Sequence, residues 1–302
     1  LEEDIEHLPK KNDISSENLD EYFLLANKRS KAIGRALREC WESQSSQVHD
    51  EFEGWSCKQL WLEDHTLFMQ IRCENKQLPW WEWPSDLANY NKLALRNYKK
   101  QNKEALMEHS LLQWHLYRQW NSLRKLAREL GVLLFGDLPF YVSRDSVDVW
   151  SNKSLFSMLS DGSVYQQSGV PPDYFSETGQ LWGNPVYRWK RHQLSNFRWW
   201  KQRFARQFEQ VDLLRIDHFR AFKALWKISG RDETAQNGYW SPSPGLKILS
   251  LLRRVYGKKL PLVAEDLGVI TQDVEKLRDY FNLPGMKILQ FAFDGNVDNP
   301  YL

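Results

Sequence analysis

The stretch Val211-Asp212-Leu213-Leu214-Arg215-Ile216-Asp217 decides how we expect this 302-residue chain to fold. Its apolar residues do not alternate with polar ones, which is typical of a short β-strand covered on both faces by helices. The strand ends at a carboxylate, Asp217, and it follows a helical pattern with an apolar side formed by Phe197, Trp200, Phe204 and Phe208. A helix followed by a buried strand is the repeating unit of an α/β fold with a parallel sheet.

The same unit occurs three more times after Gly131. Residues 132–136 end at Asp137, residues 260–264 end at Glu265 and Asp266, and residues 286–293 end at Asp294. Acids at the carboxyl ends of several parallel strands are typical of a site at the top of a (β/α)8 barrel or at the switch point of an open sheet. No GxGxxG or GxxxxGK[ST] motif follows these strands, which disfavours a nucleotide-binding open sheet. We therefore predict an α/β fold, a (β/α)8 TIM barrel that is incomplete in this chain because only four strands are visible.

The region before Gly131 has helical rather than strand patterns. Its clearest helix carries one apolar stripe with residues three or four positions apart, and Gly131 stands where that helix is expected to end. The stripe consists of Leu112, Leu116, Trp120, Leu123, Ala127 and Leu130. We predict that residues 1–130 form a mainly α-helical insertion region and that residues 131–302 belong to the catalytic barrel.

Composition excludes several classes of protein. The 41 Lys and Arg residues nearly balance the 39 Asp and Glu residues, and the net charge of +2 gives no general attraction to nucleic acid or to a membrane surface. No apolar run has the length of a membrane span, and the acidic start of the chain is unlike a signal peptide. The three cysteines form no CxxC pair, so we expect a reducing compartment and no zinc site. Because the chain opens at Leu1 rather than Met, we expect it to be part of a longer protein.

Two pairs of residues carry the candidate chemistry. Arg215 and Asp217 are two apart on a strand, so their side chains leave the same face, and the cation should lower the pKa of the carboxyl and suit it to nucleophilic attack. A structural ion pair is the alternative. Of the adjacent Glu265 and Asp266 only one can point inward, and the sequence does not say which. An inward acid against an apolar wall would have the raised pKa of a general acid, and two such carboxylates are the equipment of glycoside chemistry.

Residues 165–185 have neither a helical nor a strand period. We predict a long irregular loop of the kind that forms lids and binding loops. The loop combines Tyr, Phe and Trp rings, on which sugars stack, with Asp, Gln and Asn side chains, which bind hydroxyl groups. A saccharide is the ligand that this combination favours, and an inert loop pinned by its aromatic residues is the alternative.

The sequence resembles the 4-α-glucanotransferases called amylomaltases or disproportionating enzymes, from about residue 50 to its end. The resemblance rests on six long motifs in the same order as in that family. They are residues 136–142 (GDLPFYV), 145–150 (DSVDVW), 169–185 (GVPPDYFSETGQLWGNP), 214–219 (LRIDHF), 264–271 (AEDLGVIT) and 284–293 (PGMKILQFAF).

The resemblance implies transfer of α-1,4-glucan segments between maltodextrins, with glucose as a further partner, by a retaining double displacement through a covalent glycosyl-enzyme. It makes Asp217 the nucleophile and Glu265 the acid/base, and it implies no metal or other cofactor. It also implies a third carboxylate beyond Leu302, an N-terminal barrel strand before Leu1, and a bacterial cytoplasmic or plastid-stromal protein that is not secreted. The implied substrate-binding residues are Arg215, His218, Asp137, Asp173, Tyr174, Phe175, Gln180, Trp182 and Asn184.

Three rival hypotheses remain open at this stage. Residues 187–206 interleave seven Lys and Arg residues with aromatic ones, which resembles a nucleic-acid patch. Helical spacing separates the aromatic from most of the basic residues, so we favour a solvated basic face over a core stripe, and no nucleic-acid partner. The other rivals are an α-glucan hydrolase of the α-amylase type and a catalytically incomplete glucan-binding fragment. The oligomeric state and the preferred glucan length do not follow from the sequence.

Overall fold

The computed structural model describes residues 19–173, 176–268, 270–293, 295 and 299, without the side chains of residues 19–24. Three predicted positions, Tyr174, Phe175 and Asp294, therefore lie outside the described residues. The chain divides into two compact units, one up to Trp120 and the other from Asn121 onward. No α-helix in the described ranges combines the length and the apolar composition that a bilayer crossing requires.

The first unit is helical. Its core packs Phe52, Trp55, Leu62, Leu111 and Trp114 from three of its helices, with aromatic rings meeting largely edge to face. Asn91 begins one helix by accepting hydrogen bonds from two backbone N–H groups of the first turn. The helices are α1 (Leu19–Glu39), α2 (Ser46–Ser56), α3 (Leu62–Glu74), α4 (Ser85–Ala88), α5 (Lys92–Gln101) and α6 (Lys103–Glu129), the last of which continues into the second unit.

Helix α6 confirms the predicted helix before Gly131, but its buried face differs from the predicted stripe. Leu116, Trp120 and Leu123 are exposed, whereas Leu111 and Trp114 are buried in the core of the first unit. The buried residues stand one or two positions before members of the predicted stripe. Periodicity identifies a helix with two apolar sides, and it does not say which side meets the core.

The second unit contains a three-stranded parallel sheet that positions the candidate site. Strands β1 (Phe135–Leu138), β4 (Leu213–Ile216) and β7 (Leu262–Ala264) lie in the order β1-β4-β7, with β4 in the centre. The register pairs Asp137 with Arg215 and Ile216 with Ala264. Three of the four predicted strands are therefore present with the predicted parallel arrangement, although β1 starts three residues after the predicted start, contains Asp137 and has an exposed Phe135. Helices α9 (Arg198–Gln210) and α10 (Gly245–Tyr256) precede β4 and β7 in the chain, as predicted.

The fourth predicted strand, residues 286–293, is wrong. Residues Leu289–Ala292 form a turn of 3-10 helix instead. The carbonyl of Pro284 accepts from the Ala264 N–H of β7, and the backbone N–H of Met286 donates to the carboxylate of Asp266, so β7 and a side chain both hold the start of this segment. Leu289, Phe291 and Phe293 are exposed, so the apolar run predicted neither a strand nor burial here.

A second, antiparallel sheet replaces the predicted irregular loop. Strands β2 (Gln166–Val170) and β3 (Gln180–Pro185) form a hairpin, and β5 (Ala224–Ser229) and β6 (Tyr239–Pro242) extend it in the order β3-β2-β5-β6. The pairing of β2 with β3 shifts register between Gln167 and Gly169, and this irregularity hides the strand period in the sequence. A Cβ at Gly169 would lie 2.2 Å from the Gln180 carbonyl oxygen, so only glycine allows the strands to approach.

Helix α9 buries its predicted aromatic side within the second unit. Trp200 and Phe204 are fully buried, and Arg203 turns inward beside them. The guanidinium of Arg203 donates to the carbonyl oxygens of Pro139 (2.6 Å) and Phe140 (3.0 Å), in the segment that follows β1. Arg203 therefore holds the segment after β1 in place. The aromatic side of the helix is buried as predicted, but Arg203 is not part of a solvated basic face. The remaining helices of this unit are α7 (Val147–Ser151), α8 (Trp189–Leu194) and α11 (Gln272–Tyr280).

Candidate functional site

The carboxyl ends of β1, β4 and β7 bring the predicted acids to one edge of the parallel sheet. Ile216 of β4 is paired with Ala264 of β7. Asp217 directly follows Ile216 and Glu265 directly follows Ala264, so the two acids leave neighbouring strands at the same level. The ladder continues past the strands, because the N–H of Asp217 donates to the Leu138 carbonyl and the N–H of Glu265 donates to that of Ile216, both at 3.0 Å. The backbone of both acids is thereby fixed by the sheet.

Arg215 connects two of the carboxylates. Its guanidinium donates two hydrogen bonds to Asp137, at 2.9 and 2.6 Å, and a longer one of 3.2 Å to Asp217. Asp137 lies opposite Arg215 in the register of the parallel sheet, which explains the fork-to-fork contact. The predicted ion pair between Arg215 and Asp217 is present, and its cation is shared with Asp137.

The pKa of the Asp217 carboxyl lies above its usual value, where we expected it below. Burial is the main cause, and the charge of Asp137 adds to it, while the charge of Arg215 opposes both. The expected lowering of the pKa fails because the effect of burial outweighs that of the Arg215 charge, which Asp217 shares with Asp137. Asp217 therefore combines partial burial with one hydrogen bond to a cation.

The structure separates the adjacent acids Glu265 and Asp266. The Glu265 carboxylate accepts from the backbone N–H of His218 at 2.8 Å and of Leu267 at 3.2 Å. Asp266 is nearly buried and pairs with Arg278 of α11, on the side away from β4. Glu265 is thus the acid on the side of β4, and burial raises its pKa above the usual value against the opposing backbone hydrogen bonds.

His218 stands next to Asp217 in an aromatic setting. Its backbone is left-handed, with φ at 54°. The ring centroid lies 4.8 Å from that of Trp182 and 6.4 Å from that of Tyr141. Burial, with a smaller effect of the nearby Arg220 charge, lowers its pKa to about 4, so the ring is neutral at pH 7. Its Nε2 atom has no hydrogen-bond partner among the described residues.

Tyr141 is a neighbour of the site that we did not single out from the sequence. It follows β1, its ring lies 5.9 Å from Trp182, and its buried hydroxyl has no partner in the described part of the chain. The signal was its place in the 136–142 motif directly after a strand end. Together Tyr141, Trp182 and His218 form an aromatic wall beside Asp217.

The hairpin of β2 and β3 gives Gln180, Asp173 and Asn184 three different surroundings. The Gln180 side chain accepts from the indole N–H of Trp182 at 3.1 Å and so orients that ring. The Asp173 carboxylate accepts from the Ser176 N–H at 2.9 Å, which closes the turn between β2 and β3. Asn184 is half-buried on β3. Within the described residues no group of three or more His, Cys, Asp or Glu side chains has a metal-binding arrangement.

The chain is similar to known proteins over most of its length. Residues 2–302 match the model of glycoside hydrolase family 77, described as 4-alpha-glucanotransferase. The chain is 42% identical over 283 residues to the 4-alpha-glucanotransferase of Thermus thermophilus. The matched region covers 93% of this chain and 56% of that protein. It is 42% identical over 242 residues to a chloroplastic/amyloplastic 4-alpha-glucanotransferase of Arabidopsis thaliana, covering 80% of this chain and 42% of that protein. The chain thus spans about half the length of the curated relatives that it matches.

A solved structure extends the agreement to the fold. The amylomaltase from Streptococcus agalactiae in complex with acarbose superposes with a TM-score of 0.84 at 34% identity, over 92% of this chain and 56% of that one. The predicted fold class is confirmed, since the parallel strands β1, β4 and β7 are part of a (β/α)8 barrel. On its sequence and its fold, the chain belongs to the 4-alpha-glucanotransferase family, glycoside hydrolase family 77.

Proposed function

We propose that the protein containing this chain transfers α-1,4-glucan segments between maltodextrins, and that glucose is released from short donors. The observation that carries the proposal is the pair Asp217 and Glu265, level with each other on neighbouring strands beside an arginine. Two carboxyl groups that flank one glycosidic bond are what retaining glycoside chemistry requires. Membership of the family supports the same substrate class.

In the first step Asp217 attacks the anomeric carbon of the donor. A bond forms between that carbon and a carboxylate oxygen while the glycosidic bond breaks, and Glu265 donates its proton to the departing oxygen. The raised pKa of Glu265 supports this role, because a general acid must hold its proton near neutrality. The hydrogen bond from Arg215 favours the ionised form of Asp217 against the effect of burial.

In the second step an acceptor sugar replaces the group that left. Glu265, now ionised, removes the proton of the acceptor hydroxyl as its oxygen attacks the anomeric carbon and frees Asp217. Transfer competes with hydrolysis at this point, since water could attack in the same way. The contact between Trp182 and His218 supports transfer, because an aromatic wall excludes loosely held water and offers an acceptor sugar a surface.

The remaining predicted residues take binding roles in this proposal. His218 packs edge to face against Trp182 and so positions that ring, which supplies a stacking surface for sugars. Arg215 and Asp137 hold each other in place at the strand ends. We further propose that residues 1–130 act as an insertion region of the barrel enzyme. The bacterial and chloroplastic relatives support a cytoplasmic or plastid-stromal location.

Incubation of the full-length protein with maltotriose tests the proposal. Transfer yields a ladder of longer maltodextrins together with glucose. Glucose and maltose without longer products would instead identify an α-glucan hydrolase. Binding of maltodextrins without any turnover would identify a glucan-binding protein, and either of these two results would overturn the proposed transfer.

A further inference from the structure

The residue that follows Asp217 has an unusual backbone conformation. His218 lies in the left-handed region, with φ at 54° and ψ at 53°, and the next four residues, Phe219–Phe222, form a turn of 3-10 helix. Residues other than glycine rarely adopt this conformation, although Asn, Asp and His do so more often than the rest. A left-handed residue beside a helical one turns successive backbone N–H groups toward the same side, where they hold an anion or a carbonyl oxygen.

Both of these N–H groups contact Glu265, the acid of the proposed reaction. The N–H of His218 donates to the carboxylate oxygen Oε2 at 2.8 Å, and the N–H of Phe219 donates to the backbone carbonyl oxygen of Glu265 at 3.0 Å. The other carboxylate oxygen, Oε1, accepts from the N–H of Leu267 at 3.2 Å. Each carboxylate oxygen of Glu265 is therefore held by a backbone group, and the shorter contact comes from the residue next to Asp217.

These contacts matter because Glu265 loses and regains a proton in the proposed reaction. A backbone N–H that donates to a carboxylate favours its ionised form, whereas burial favours the protonated form. Burial is the larger effect on the pKa of Glu265, and the hydrogen bonds from His218 and Leu267 oppose it. Two charged groups also act on this carboxyl, Asp217, which raises its pKa, and Arg215, which lowers it. Because the His218 ring is neutral at pH 7, this residue acts on Glu265 through its backbone.

We propose that His218 is a positioning residue for Glu265 and that it acts through its left-handed backbone rather than through its imidazole ring. In this conformation the His218 N–H holds the Glu265 carboxylate at the strand end next to Asp217, and it stabilises the charge that remains when the proton has passed to the departing oxygen. A residue at position 218 that avoids the left-handed region would turn the N–H away. The half-buried carboxyl would then give up its proton less readily. This proposal rests on the acid role of Glu265 proposed above.

Two variants of the full-length protein separate the backbone from the side chain. His218→Gly and His218→Val both remove the imidazole and its contact with Trp182. Glycine adopts the left-handed conformation freely, whereas a β-branched residue strongly avoids it. We compare kcat/KM for maltotriose, whose leaving group needs a proton, with kcat/KM for maltotriosyl fluoride, whose leaving group does not. The ratio of the two should fall on the order of tenfold in His218→Val and keep its wild-type value in His218→Gly.

A titration without turnover keeps this proposal separate from the proposed function. Carbon-13 NMR of carboxyl-labelled glutamate reports the pKa of Glu265, and Glu265→Gln assigns its signal. That pKa should be higher by about one pH unit in His218→Val than in His218→Gly, because one donor to the carboxylate is lost. A purely structural role would lower activity on both donors without changing this pKa. The rise supports the proposal even if the wild-type protein shows no transfer.

Replacement of the amide of residue 218 by an ester removes the N–H and changes no side chain, so it tests the idea even if His218→Val fails to fold. It should also raise the pKa of Glu265 by about one pH unit. The same replacement at Phe219 is the matched control and should keep the wild-type pKa, because that N–H donates to the carbonyl oxygen of Glu265 and not to its carboxylate. Equal pKa values in His218→Gly and His218→Val, or an unchanged pKa in the residue 218 ester, would overturn the proposal.

Discussion

His192 makes the stability of this protein depend on pH. The side chain is 0% exposed, on helix α8, and lies among the rings of Phe156, Tyr187, Trp189 and Trp199, with centroid distances from 5.4 to 6.3 Å. Burial lowers its pKa to about 4, and a weaker interaction with the Leu155 backbone offsets only part of this effect. A charged imidazole in this position would have to leave the aromatic cluster or disrupt it.

The size and sign of the effect follow from the two pKa values. The unfolded chain protonates His192 near the usual 6.5, while the folded chain does so only near pH 4. Between these values the unfolded state binds more protons, so the free energy of unfolding falls as the pH falls. At about 1.4 kcal/mol per pH unit, the loss at pH 4 relative to pH 7 is about 3 kcal/mol. Well above pH 6.5, where both states hold a neutral imidazole, His192 contributes no pH dependence.

Chemical denaturation of the wild-type protein and of His192→Leu at pH 7 and pH 4 measures this effect. Loss of packing lowers the free energy of unfolding of the variant by the same amount at both pH values. Only the difference between the changes at pH 7 and pH 4 is therefore informative. The variant should gain about 3 kcal/mol relative to wild type on going from pH 7 to pH 4. His115→Leu, at a partly exposed position of α6, controls for the loss of an ordinary imidazole. An equal shift at both pH values would show that His192 is not held neutral by burial.

The other predictions concern the two acids of the site and the neighbour of one of them. Asp217→Asn in the full-length protein should lower turnover by a factor of about 10^4 or more, and retention of most activity on maltodextrins would contradict a nucleophilic role. Glu265→Gln should abolish transfer from maltodextrins but spare a fluoride donor, whose leaving group needs no proton, and equal losses on both donors would contradict the acid role. Asp266→Ala should lower the free energy of unfolding by about 2 kcal/mol, because among the described residues Arg278 keeps only its exposed partner Asp279 and the Met286 N–H loses its acceptor. A stability within 0.5 kcal/mol of wild type, a limit of about the size of an ordinary surface effect, would refute that reasoning.

The parallel sheet could be predicted because its strands are short, apolar and followed by acids. Strand β7 is buried along its whole length, as its apolar run predicts, and β4 is followed directly by Asp217 although Arg215 interrupts its apolar residues. The position of the site acids could be predicted together with the strands, because the carboxyl ends of parallel strands meet at one edge of the sheet. The choice between Glu265 and Asp266 could not follow from their adjacency. It depends on Arg278 of α11, which captures Asp266.

The antiparallel sheet could not be predicted by the same reasoning. Its strands include Gly169, Gly183 and a register shift, and each of these interrupts the alternation by which a half-buried strand is identified. The error has a functional side, because a loop and a sheet present ligand-binding groups differently. A loop offers isolated contacts. A sheet face aligns residues from neighbouring strands, as it does for the paired Lys227 and Tyr239.

The electrostatics of Asp217 show how a local rule fails when a third charge is present. Two residues apart on one strand, Arg215 and Asp217 predict an acid with a lowered pKa. The partner strand adds Asp137 directly opposite the arginine and takes its two shorter hydrogen bonds. One cation then serves two carboxylates, and burial decides the direction of the Asp217 shift. In the proposed reaction Asp217 must be ionised to attack the anomeric carbon, and the hydrogen bond from Arg215 is the contact that favours this form against burial.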